Sequence, residues 1–132
     1  MRSDNERDAY PLSPMQAGML FQYLYDPKNG VDIEQLVCSF SNVDIPALRH
    51  AWEQVWQIND VLRLGFEWTG LDQPLQRAHD DAAFSWNELD WRGVPNPETA
   101  LKDFLRLDRL QGFQLDRPPL LRLTLIRRGE AD

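Results

Sequence analysis

The stretch YPLSPMQAGMLFQYLYDP, Tyr10–Pro27, contains the start, body and stop of a helix. Ser13 stands where an N-cap belongs, Pro14 suits the first helical position, and Gln16 follows three after the serine. A serine oxygen and a glutamine side chain in that spacing each satisfy one orphan amide, which makes a capping box. Met15, Met19, Leu20, Tyr23 and Leu24 then recur at helical spacing, and Asp26-Pro27-Lys28-Asn29-Gly30 turns the chain.

Working outward, residues 31–40 (VDIEQLVCSF) read as a strand whose end is apolar on both faces. A second helix is expected from Asp44-Ile45-Pro46 to about Ile58, with Leu48, Ala51, Trp52, Val55 and Ile58 as its buried stripe. Residues 61–68 alternate, with Leu62, Leu64, Phe66 and Trp68 on one face, and read as a half-buried strand. Leu75–Ala78 reads as a short returning strand and Phe84–Trp91 as an edge strand. Asn96 as cap and Pro97 as first residue open a third helix. Its face is Leu101, Phe104, Leu105 and Asp108, and Gly112 closes it. A leucine-rich strand, residues 120–128, follows Pro118-Pro119. The expected fold class is α+β, an α/β layered arrangement of a mixed sheet with about three helices.

The 132 residues carry 14 basic and 21 acidic side chains, a net charge of −7 spread along the chain. No basic groove for nucleic acid and no polybasic membrane patch is expected from that balance. The single cysteine, Cys38, cannot form an internal disulfide and fits a reducing, cytoplasmic setting. Residues 1–9 read as a polar leader without the apolar core of a signal peptide. His50 and His79 are far apart in the chain, and no zinc spacing, P-loop or nucleophile elbow is present. His50 lies off the second helix's apolar stripe, and His79, beside Asp80 and Asp81, reads as part of a solvated loop. No catalytic, cofactor-binding or metal-binding residue is assigned on these grounds.

Four segments carry a resemblance. Tyr10–Pro27 resembles the opening motif of condensation domains in nonribosomal peptide synthetases. Asp60-Val61-Leu62-Arg63-Leu64-Gly65-Phe66 is similar to the second motif, usually R-H-x-V-L-R-T-x-F. Pro74-Leu75-Gln76 and Glu88–Gly93 match the middle of many bacterial members, and Gly112–Arg122 matches the segment before the active-site motif. All four occur in the family's order. Ile58, Asn59 and Leu64 depart from the arginine, histidine and threonine of the second motif, whereas Arg63 is kept.

The resemblance implies part of a chloramphenicol-acetyltransferase-like lobe, residues 10–132. It also implies a parent that forms peptide bonds between aminoacyl or peptidyl thioesters on carrier proteins. The phosphopantetheine belongs to those partner carriers; none is expected to bind this chain directly. The family motif H-H-x-x-x-D-G is missing from the sequence, so the chain alone is expected to be inactive. Two other readings stay open, a non-catalytic recruitment module and a short subunit completed in trans by a second chain. Ser13 and Gln16 are expected to act as capping residues first and tunnel-lining residues second, and the resemblance gives Arg63 a structural role. Arg122, among leucines, needs a partner if buried. If residues 120–127 form a strand with a free edge, self-association through it is expected.

Overall fold

The structure is a computed structural model that describes residues 9–26 and 33–129. The expected leader falls outside them up to Asp8, as do residues 31–32 of the first expected strand. A two-residue strand β1 (Tyr10–Pro11) leads into helix α1 (Pro14–Tyr25). Ser13 Oγ accepts from Gln16 N and Gln16 Oε1 accepts from Ser13 N, closing the capping box. Helix α2 (Ile45–Ile58) is capped by Asp44, whose carboxylate accepts from Ala47 N at 3.1 Å. A 3-10 turn (Asp60–Arg63) then feeds the hairpin of β2 (Leu64–Glu67) and β3 (Leu75–Ala78). Strand β4 (Trp86–Asp90), helix α3 (Pro97–Gln111) and strand β5 (Leu123–Arg127) complete the order.

Two small sheets result. In the first, β3 lies between β1 and β2 and is antiparallel to both, with Leu64 opposite Ala78 and Tyr10 opposite Gln76. In the second, β4 and β5 are parallel, with Trp86 opposite Leu123, and α3 supplies the long crossover that parallel neighbours require. The class is α+β.

Several expectations are corrected. Residues 33–40 form no strand: they run as coil, and none makes a backbone hydrogen bond to another described residue. A strand needs a ladder partner, and none lies beside these residues among those described. Leu36 is 90% exposed there. The strand expected over 61–68 begins only at Leu64, because Asp60–Arg63 wind into a tight turn with Leu62 N bonded to Asn59 O. Strand 120–128 is shorter, Leu123–Arg127, and 84–91 narrows to Trp86–Asp90. Asn96 precedes α3 but does not cap it: its backbone is left-handed (φ 51°) and its side chain makes no cap bond.

The stripe of α2 is also corrected. Trp56, outside the expected set, is its buried residue and packs on Phe84 with ring centroids 5.9 Å apart. Ile58 is 78% exposed, and Ala51 and Val55 are exposed too. The face of α3 is as read: Leu101, Phe104, Leu105 and Asp108 are all half-buried. Among the described residues the buried apolar set is only Leu20, Trp56, Leu64 and Ala78, and no large side chain is fully enclosed.

His79 is half-buried, not solvated. Its backbone N–H donates to Arg63 O at 2.9 Å, and its ring lies against Gly65. A Cβ on Gly65 would stand 2.9 Å from Pro118 Cδ and 3.0 Å from His79 Nε2. Gly65→Ala is therefore expected to cost about 1–3 kcal/mol by overpacking, read as a lowered urea midpoint with unchanged slope.

Candidate functional site

The described residues enclose an apolar trough of about 1100 Å³. Its floor and walls come from α1 (Met19, Tyr23), α2 (Leu48, Trp52), α3 (Phe104) and β5, with residues 33–40 along one side. Met19, Leu36, Val37 and Phe40 are exposed around it because nothing described covers them. The α2 residues that the stripe reading took for core, Leu48 and Trp52, line this trough.

A polar clamp ties the trough together at one end. Arg122 Nε donates to Asp108 Oδ1 at 2.9 Å, its Nη2 to Asp108 O at 2.8 Å, and its Nη1 to Gly112 O. The guanidinium also lies over the Phe113 ring, 4.1 Å from the centroid. The carbonyl end of α3 thus meets a cation, which the helix dipole favours, with Asp108 O also accepting from Gly112 N at 3.2 Å. The other Asp108 oxygen accepts from Gln35 Nε2 at 3.0 Å, and Gln35 also donates to Leu105 O. Arg109 Nη1 donates to Gln35 Oε1 at 3.1 Å. The partner that Arg122 needs is therefore Asp108. A carboxylate on an otherwise apolar helix face was the available signal for it; nothing in the sequence signalled Gln35.

Arg63 is buried, with its guanidinium on Asp60 and Asp80 Oδ1 3.8 Å away. Its Nε has no hydrogen-bond partner among the described residues, and neither does Trp86 Nε1 in the trough lining. Gln16 does more than cap. Its amide pairs reciprocally with that of buried Gln76 at 2.8 and 3.0 Å, while Gln76 Nε2 also reaches Pro11 O. This pair docks α1 on β3, and Gln76 was missed as a site residue although it lies in a quoted motif. Ser13 stays at the exposed helix start. His50 is exposed and paired with Gln54, and Cys38 is exposed on the 33–40 segment.

At the end of β4, Asp90 accepts from the Arg92 side chain and then from the Arg92 backbone N–H, and these hold its carboxyl well below the usual carboxylate range. A depressed folded-state pKa contributes stability above the ordinary carboxylate pKa, and this is lost as pH falls through the folded value.

The model of the Condensation domain family matches residues 6–132. The chain belongs to the condensation-domain family. This condensation-domain chain is 39% identical over 122 residues to a subunit of the linear gramicidin synthase of Brevibacillus parabrevis, covering 91% of the chain and 2% of that protein. It is 27% identical over 130 residues to surfactin synthase subunit 3 of Bacillus subtilis, covering 96% of the chain and 10% of that protein. Among solved structures, it resembles the starter condensation domain of the rhizomide synthetase RzmA with a TM-score of 0.77 at 25% identity. That match covers 95% of this chain and 30% of the solved one. The chain thus spans a small fraction of the synthetases it matches and under a third of the solved domain, and its fold is part of the chloramphenicol-acetyltransferase-like lobe. No helix among the described residues is long and apolar enough to cross a membrane.

Removing Asp108 strands the Arg122 charge. Asp108→Ala is expected to cost about 1.5–3 kcal/mol, the range for hydrogen bonds to charged groups, with Asp108→Asn recovering part of it in urea melts. Arg92→Ala should raise the Asp90 carboxyl pKa toward its ordinary value in a carbon-13 NMR titration.

Proposed function

We propose that the chain supplies the N-terminal part of the substrate-tunnel scaffold of a peptide-bond-forming condensation domain, with residues 10–132 as the scaffold unit. The single observation that carries this is convergence. Gln16 of the opening motif, Phe66 of the second, Trp91 of the middle and Phe113 of the fourth all line one trough. Motif residues scattered through the sequence have little reason to share a surface unless that surface is used.

In this reading the parent joins an aminoacyl or peptidyl thioester on one carrier protein to the amine borne by another. Both groups arrive on phosphopantetheine arms. The arms belong to the carriers, and this chain offers them an apolar wall. A variant of the starter condensation domain of RzmA has been crystallised in complex with C8-CoA and Leu-SNAC. The sequence has no paired histidines. The proton-handling base would therefore be provided by other polypeptide of the domain, and the contribution here is alignment. Attack by an amine on a thioester depends strongly on such alignment. Ser13, Gln16, Arg63 and Arg122 act structurally, as capping, docking and clamping groups. The exposed thiol of Cys38 fits work in a reducing cytoplasm. In isolation, the outer edge of β5 supports self-association.

The test is reconstitution with carrier-bound aminoacyl thioesters. The chain alone is expected to yield no amide product. The chain mixed with the remainder of a condensation domain from the linear gramicidin synthase relative is expected to yield product, unchanged by His79→Ala. Turnover by the chain alone that His79→Ala abolishes would overturn the reading. For self-association, light scattering after size exclusion should show species larger than the monomer at high concentration; a clean monomer there would remove that part.

A further inference from the structure

We draw no further inference here: the strongest candidate, the exposed apolar patch on α1 where Phe21 and Tyr25 stack with ring centroids 6.3 Å apart, carries nothing because nothing in the structure shows what covers it.

Discussion

The carboxylate of Asp108 faces two directions at once, and the arrangement of the trough follows from that. One oxygen takes Arg122 at the entry to β5, and the other takes Gln35 at the start of the 33–40 run. The arginine also closes the carbonyl end of α3 through Asp108 O and Gly112 O. A half-buried cation among leucines would be costly without such partners. Each bond here does two jobs: it neutralises a charge and it spaces two chain segments.

The trough itself is what this spacing leaves. Its lining is mostly apolar, yet Met19, Val37 and Phe40 remain exposed and no large side chain among those described is fully enclosed. Apolar surface of this extent is unusual on a finished domain and marks a contact surface. The Gln16–Gln76 amide pair holds α1 to the first sheet, and the contact of Gly65 with His79 and Pro118 draws β2 against the loop before β5.

The family relationship gives that openness a meaning. A chain covering 95% of its own length but 30% of the RzmA starter domain, at a TM-score of 0.77, keeps the local fold of the larger domain over the part it represents. The β2–β3 hairpin and the parallel β4–β5 pair are held by their own ladders. Among the expected strands, the one that reaches residues 33–40 is the one of which no described residue is in a strand.

Sequence by itself determined the helices, because their signals are local. Ser13 and Gln16, Asp44 and Pro46, and Pro97 and Gly112 lie within a few residues of the ends they mark, and capping acts over that range. It also determined the face of α3, where a 3.6-residue period is complete within the element. Strands were legible only where their partner is present: Leu75–Ala78 is the strand that was read, while 33–40, the described part of the 31–40 reading, is coil. The stripe of α2 failed for a related reason. Periodicity shows which residues are apolar, but whether Trp56 or Ile58 is buried depends on what packs opposite, here Phe84 and open space. The site was legible in part. Arg122 could be recognised as a charge in need of a partner, but Asp108, fourteen residues earlier, and Gln35, on the other side of the trough, became that partner set only when the chain was folded. Long-range pairing is decided by tertiary structure because side-chain reach is short and the sequence does not say which segments will meet.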